Sequence, residues 1–192
     1  MRRIKVKDII IPTISLFIIC VIITVALAFT NALTKDTIAQ NELNAQNESM
    51  KIVCPDADTF QLVSENDNGD IYAGLDKNGN VVGYAVSTQA SGYGGAIKVM
   101  TGISTDASII GIDVFYNDDE TPGLGKNTSN ESFTSQFKDL LAKDKIVVSK
   151  DYAGEGQQVD AVTSSTISSR AVTDAVNKAC ELYNTEISGG ES

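Results

Sequence analysis

The run Asp160-Ala161-Val162-Thr163-Ser164-Ser165-Thr166-Ile167-Ser168-Ser169-Arg170-Ala171-Val172 places hydroxyl side chains at the entrance of an apolar-periodic segment. From Ile167 the apolar residues recur as Ala171/Val172, Ala175/Val176, Ala179/Cys180 and Tyr183, the period of a helix. The hydroxyls therefore stand at a helix N-terminus, where unpaired backbone N–H groups and the positive end of the macrodipole face outward. Such a place suits a phosphate. Ser and Thr also cap helices routinely, so Thr163 or Ser164 acting as a plain cap is the alternative.

Two further stretches carry unusual residue types. Ser91-Gly92-Tyr93-Gly94-Gly95 precedes an apolar strand pattern, and by itself a Gly-rich turn there means a tight connection. Asp118-Asp119-Glu120-Thr121-Pro122-Gly123-Leu124-Gly125-Lys126 follows another strand, and by itself reads as a Pro-Gly turn with acidic flanks.

Composition removes several classes of chemistry. The chain has 192 residues, no His and a formal net charge of −10. Without imidazole there is no His general base or His-containing triad, and most zinc and haem ligation is excluded. Arg2, Arg3, Lys5 and Lys7 against Asp8 leave residues 1–34 at +3, so the rest of the chain carries −13. An acidic domain repels phosphodiester backbones, which argues against nucleic acid as a partner. The three cysteines, Cys20, Cys54 and Cys180, form no Cys-x-x-Cys pair and cannot build an iron–sulfur or structural zinc site within the chain. Cys54 and Cys180 are expected as buried free thiols, although pairing outside the cytoplasm stays open.

The elements that must position these stretches follow in order. Residues 9–30 hold no charge and are rich in Ile, Val, Leu and Phe. At about 1.5 Å per residue they span the ~30 Å of a bilayer core, with Pro12 near the start of the helix, where it is tolerated. The run exceeds the length of a signal-peptide core, which favours a retained anchor over cleavage at Ala26-Leu27-Ala28. This divides the chain into a cytoplasmic N-terminus (1–8), a transmembrane helix (9–31), a juxtamembrane stalk or helix (32–55), an extracytoplasmic domain (56–186) and a frayed tail (187–192). Strand patterns are expected over 59–63, 70–75, 81–86, 96–103, 109–116 and 145–148, with Asp76-Lys77-Asn78-Gly79-Asn80 turning a hairpin. Phe133, Phe137, Leu140 and Leu141 predict an amphipathic helix over 131–143, and Gly154-Glu155-Gly156 a turn before Asp160.

The hydroxyl run resembles the flavinylation signature of the FMN-binding domains in the Rnf and sodium-pumping NADH:quinone reductase complexes. That signature is an Asp, two residues, Ser/Thr, Gly, Ala, then a Thr esterified to the phosphate of FMN. Asp160 matches the Asp, Thr163 the Ser/Thr and Thr166 the acceptor, while Ser164 and Ser165 stand where the family has Gly and Ala. Both replacements are small, but Gly allows backbone conformations that Ser reaches only at a cost. The Gly-Tyr-Gly-Gly run, a strand pair and then Glu-Thr-Pro-Gly-Leu-Gly is similar to the core of the Rnf G-subunit family, and this second motif is the more specific. The resemblance covers nearly the whole chain.

What the resemblance implies is an α+β FMN-binding domain behind a single N-terminal transmembrane helix. It implies FMN held as a covalent phosphoester on Thr166, with Thr163, Ser164, Ser165 and Asp160 in the turn around it. Register, six residues on from the Asp, selects Thr166 over its hydroxyl neighbours, and Ser168 is expected to be dispensable. Asp160 is expected to fix the loop or to be read by the flavin transferase. Glu120, Thr121, Leu124 and Gly125 are placed near the isoalloxazine ring, with Tyr93 as a second stacking candidate. Lys126 and Arg170 are candidates for offsetting phosphate or reduced-flavin charge. The implied role is an electron-transfer subunit of an ion-translocating oxidoreductase that links ferredoxin oxidation to NAD reduction. Its partners would be the other membrane and iron–sulfur subunits. No strand–Gly-x-Gly–helix dinucleotide unit is present, so NAD belongs to a partner. The alternatives are a stand-alone extracytoplasmic flavoprotein carrier and a flavin-free, membrane-anchored binding module.

The basic N-terminus followed by the apolar span sets an orientation in the cell (inner) membrane, N-terminus inside and domain outside. A protease added to the outside of intact spheroplasts should therefore cut beyond Lys35. Protection of that region would reverse the orientation.

Overall fold

Two periods of apolar residues build the protein. Stretches alternating every second residue become strands, and stretches with helical spacing become helices. The structure, a computed structural model, describes residues 6–149 and 156–191. It divides into two compact units, Met1–Leu43 and Asn44–Ser192.

Helix α1 runs from Val6 to Val53 without a break, so the expected transmembrane segment and stalk are one helix rather than two elements. Residues 35–52 hold many strong helix formers and neither Gly nor Pro, so nothing interrupts it. It ends where Pro55 restricts the residue before it. Pro12 lies inside the helix and removes one backbone donor there. In the first unit the apolar side chains, Phe17, Ile22 and Leu27 among them, face outward, and the helix is long and apolar enough to cross a membrane.

The second unit is built on a five-stranded antiparallel meander in the order β1 (Thr59–Asn66), β2 (Gly69–Leu75), β3 (Val81–Ser91), β4 (Ala96–Ser104) and β5 (Ile109–Tyr116). The β2–β3 turn is held by Asp76, whose Oδ1 accepts the N–H groups of Asn78 and Asn80, each at 2.8 Å. Strands β3 and β4 pair without a slip from Gly83↔Ser104 to Ser91↔Ala96. Successive residues of a strand face opposite sides of the sheet, so each central strand feeds two cores. One face carries Val86, Ile97, Val99 and Ile103 against the C-terminal helix. The other carries Ala85 and Met100 against Met50, Val53 and Cys54.

Shorter elements follow: a 3-10 turn over Gly125–Ser129, α2 (Glu131–Thr134), a 3-10 turn over Ser135–Phe137, and the parallel pair β6 (Ile146–Val148) and β7 (Gln157–Val159). The expected helix over 131–143 therefore stops after its first turns. Asp139 adopts φ 64°, and the chain folds back along the start of β5. There Ile109 N–H donates to Leu140 and Asp139 N–H donates to Ile109. Phe133 and Phe137 are buried in edge-to-face contact as the spacing implied, while Leu141 is left partly exposed. The Gly154-Glu155 part of the expected turn lies outside the described residues. Helix α3 (Thr166–Glu186) closes the fold, and Ile187 after it packs on the core before a 3-10 turn at Ser188–Glu191, where a frayed tail was expected.

Cys54 and Cys180 are both buried free thiols, and burial pushes each thiol up to about 12. Neither forms appreciable thiolate at neutral pH, and thiolate is the reactive species. Peptide mapping after brief maleimide treatment at pH 7 should find Cys54 and Cys180 unlabelled in the native protein and labelled in guanidinium. Native labelling at wild-type folding stability would contradict this burial.

Candidate flavin site

The entrance of α3 is shaped by hydroxyls, though not as simple caps. Ser165 N–H donates to Val162 C=O at 3.0 Å, closing a tight turn with Ser164 as its third residue. Ser164 sits at φ 61°, the left-handed region, at the position where the signature has Gly. From inside the helix Ser169 braces this turn: its Oγ accepts Val162 N–H at 3.0 Å and donates to Ser165 C=O at 2.9 Å. The capping residue is Ser165, and it makes no side-chain capping bond. Its Oγ is buried without a partner among the described residues, beside the first turn of α3. The plain-cap alternative thus fails for Thr163 and Ser164 alike.

Upstream, Asp160 is held by its main chain. Gln136 Oε1 accepts Asp160 N–H at 2.7 Å and Gln136 Nε2 donates to Asp160 C=O at 3.3 Å. The carboxylate itself is exposed and makes no hydrogen bond among the described residues. Asp160 therefore fixes the loop with its backbone, leaving its charge in solvent.

The second motif reaches the same place from β5. Glu120 is buried, and its two carboxylate oxygens accept Gly94 N–H at 3.0 Å and Ser168 Oγ–H at 2.7 Å. The three stretches singled out in the sequence thus converge on one carboxylate. The close approach explains two glycines: a methyl group at Gly92 would lie 2.2 Å from Glu120 Oε1, and one at Gly125 would lie 1.8 Å from Oε2. The neighbouring turn after Thr121 carries its own contacts, with Lys126 N–H donating to Thr121 C=O and Asn127 Nδ2 to Gly123 C=O.

These loops enclose a cavity of about 460 Å³, lined by Tyr93, Glu120, Thr121, Leu124, Gly125 and residues 164–168. That volume suits a small-molecule site, and the mixture of apolar walls with a few polar groups has the usual composition of one. Tyr93, Leu124 and Ile167 are exposed apolar side chains on its rim. A second cavity of about 830 Å³ adjoins it, sharing Leu124 and Ser164, and is lined by Asp160, Thr163, Asn127 and Gln136 among others. Of the residues expected from sequence, Tyr93, Glu120, Thr121, Leu124, Gly125, Ser164, Ser165 and Thr166 come together in the smaller cavity. Asp160 and Thr163 line the neighbouring one. Lys126 is engaged by Asp118 at 3.3 Å, and Arg170 is exposed one turn beyond Thr166 on α3. Three contributors escaped the sequence reading. Ile167 and Ser168 line the cavity, and Ser169 braces the turn.

Known families agree with this layout. The model of the RnfG N-terminal region matches residues 1–53, and that of the FMN-binding domain matches residues 92–181. The chain is 36% identical to the G subunit of the proton-translocating ferredoxin:NAD(+) oxidoreductase complex of Clostridium ljungdahlii, over 91% of each chain. It is 38% identical to the G subunit of the Na(+)-translocating ferredoxin:NAD(+) oxidoreductase complex of Acetobacterium woodii, over 88% of each. The chain belongs to the Rnf G-subunit family. Within this RnfG-type protein, the FMN-binding match begins at Gly92 and contains every residue that lines the smaller cavity. The RnfG N-terminal match ends at Val53, the last residue of α1. The fold also resembles the C subunit of the Na(+)-translocating NADH-quinone reductase of Parabacteroides distasonis, with a TM-score of 0.58 and 17% identity over 75% of this chain and 92% of that one. NqrC of Shewanella oneidensis gives a TM-score of 0.51 at 20% identity, over 72% of each. At those identities the likeness concerns the α+β fold.

The left-handed Ser164 yields a stability test. Ser164→Gly should be neutral to stabilising by about 1 kcal/mol, because Gly reaches this conformation without the Cβ clash. In a chain of this size that is a rise of roughly 2–4 °C in Tm. Ser164→Val should lower Tm, since a β-branched residue is more strained there than Ser. A fall in Tm for the Gly variant would show that the Ser164 side chain, and not its backbone, holds the turn.

Proposed function

We propose that this chain is the membrane-anchored, covalently flavinylated electron-transfer subunit of an Rnf-type complex that couples ferredoxin oxidation and NAD reduction to ion translocation. The observation that carries the proposal is a cavity in which the Glu120–Gly125 loop and the first turn of α3 face each other. FMN, when bound, supplies reversible one- and two-electron transfer at its ring. Everything else is asked of the chain's own residues.

Thr166 is the acceptor, because it opens α3, lines the cavity and holds the register of the signature. Its hydroxyl oxygen would carry the phosphoester, and the backbone N–H groups of the first helical turn would hold the phosphate. Ser165 fits the group as well: its buried hydroxyl has no partner among the described residues and lies beside the acceptor. Leu124, Ile167 and Tyr93 offer apolar and aromatic surface to a flat ring, and Thr121 a hydroxyl to its polar edge. The exposed carboxylate of Asp160 remains available to the flavin transferase that attaches FMN, since the loop is held by the Asp160 main chain.

The uncharged run of α1 supports a single-pass anchor in the cell membrane, with the basic N-terminus cytoplasmic and the flavin domain outside. Ferredoxin and NAD are handled by partner subunits, and the other membrane and iron–sulfur subunits are this chain's neighbours in the complex. The flavin-free reading rests on Ser164-Ser165 replacing Gly-Ala. Ser164 nevertheless keeps a positive φ, the property for which Gly is favoured, and this supports retention of the flavin.

In-gel fluorescence after denaturation, in cells that also make the native flavin transferase, tests the proposal. Wild type should fluoresce, and Thr166→Ala should not, while keeping its Tm within the few degrees expected for loss of a hydroxyl at a helix start. A fluorescent Thr166→Ala variant would move the acceptor elsewhere, and a wild type that never carries flavin would leave only the binding-module reading.

A further inference from the structure

Glu120 differs from every other acid among the described residues of the domain. It is buried at 2% exposure, it makes no ion pair among the described residues, and both its oxygens are engaged by groups from distant parts of the chain. One oxygen accepts Gly94 N–H from the turn that carries Tyr93. The other accepts the hydroxyl of Ser168 from the turn that carries Thr166 and Ile167. These two turns form facing parts of the 460 Å³ cavity. No side chain fits between the carboxylate and the backbone at Gly92 or Gly125, so main chain packs directly against Glu120 there. A buried carboxylate accepting charge-assisted hydrogen bonds is a strong and directional tie.

We propose that Glu120 is a positioning residue rather than a flavin contact: its carboxylate fastens the Tyr93 turn to the first turn of α3 and so sets the width of the cleft and the place of Thr166. The assignment rests on the flavin reading above for its purpose, but the tie itself can be measured without flavin. Gln can keep both bonds. Its Oε1 accepts Gly94 N–H, and its Nε2 donates to Ser168 Oγ, which accepts as readily as it donates. Ala can keep neither. Ser168→Ala cuts one arm and leaves the other.

The experiment has two arms on the full-length chain. In chain made without the flavin transferase, hydrogen exchange at the Gly94 amide reads the tie directly. Glu120→Gln should match wild type, and Glu120→Ala should exchange about tenfold faster or more, the effect of losing a buried hydrogen bond to a charged group. In chain made with the transferase, the initial rate of covalent flavin incorporation reads the purpose. Glu120→Gln should stay within about twofold of wild type, Glu120→Ala should fall about tenfold or more, and Ser168→Ala should fall between them. The flavin's visible spectrum and midpoint potential should be the same in Glu120→Gln as in wild type. A shifted potential, or incorporation as poor as in Glu120→Ala, would overturn the proposal by showing that the charge acts on the flavin itself. Wild-type Gly94 exchange in Glu120→Ala would overturn it too. If Glu120→Ala fails to fold, Ser168→Ala and Glu120→Gln decide: an unchanged incorporation rate in Ser168→Ala would refute the tie. Should no chain take up flavin while the exchange rates fall as expected, the tie stands and the flavin proposal fails.

Discussion

Burial of one face of α3 against the sheet is the constraint on which the rest of the structure depends. Ala171, Val172, Ala175, Val176 and Ala179 lie flat on Val86, Ile97, Val99 and Ile103, all of them buried. The small side chains on the helix let it approach closely, and a buried bond from Thr88 Oγ1 to the Ala175 carbonyl at 2.8 Å fixes its position along the strands. A fully buried Val or Ile contributes about 1.5–3 kcal/mol relative to exposure, so this layer dominates the small net stability of a domain. Once α3 is placed, its N-terminus has one location, and the loops after β3 and β5 are carried to it by the strand register.

The site is consequently a product of long-range order. Gly94 lies 26 residues from Glu120, and Glu120 lies 48 from Ser168. No local segment could hold these three together, and a loop closure of that length is favourable only when the core has already formed. Local order does the finer work. Ser169 braces Val162 and Ser165 within a single turn, and Gln136 grips both main-chain groups of Asp160 in the manner of a neighbouring strand.

Much of this was legible in the sequence, and the reasons for the failures are specific. Helix α3 announces itself because it has one buried face, which periodicity records, whereas β3 and β4 are buried on both faces and show in the sequence as apolar runs bounded by turn residues. Residues 131–143 misled because Phe133, Phe137, Leu140 and Leu141 have helical spacing, yet the last two belong to a fold-back along β5 that only the tertiary partner reveals. Strand β7 is three residues long, and its pairing with β6 is parallel, so no turn or alternation marked it. At the site, the stretches singled out by residue type meet at one cavity, but residue types alone gave no hydrogen-bond pairing between them. The resemblance placed Glu120 near the isoalloxazine ring, and the structure adds that it lines the cavity with both carboxylate oxygens accepting hydrogen bonds from the protein. Ser168 looked dispensable by register and is the other end of that bond. Whether an oxygen is spent internally is a fact about three dimensions.

The two buried cysteines carry a different lesson. Cys54 belongs to the cluster on one face of the sheet and Cys180 to the cluster on the other, so the sheet itself stands between the two sulfurs. A disulfide joining them demands Cα atoms within about 7 Å, which no breathing of an intact five-stranded sheet supplies. The folded domain is thus closed to a Cys54–Cys180 bond whatever the thiol–disulfide poise around it. Oxidation becomes a record of folding history. A Cys54–Cys180 crosslink is a covalent mark left only on chains that were open when the oxidant arrived.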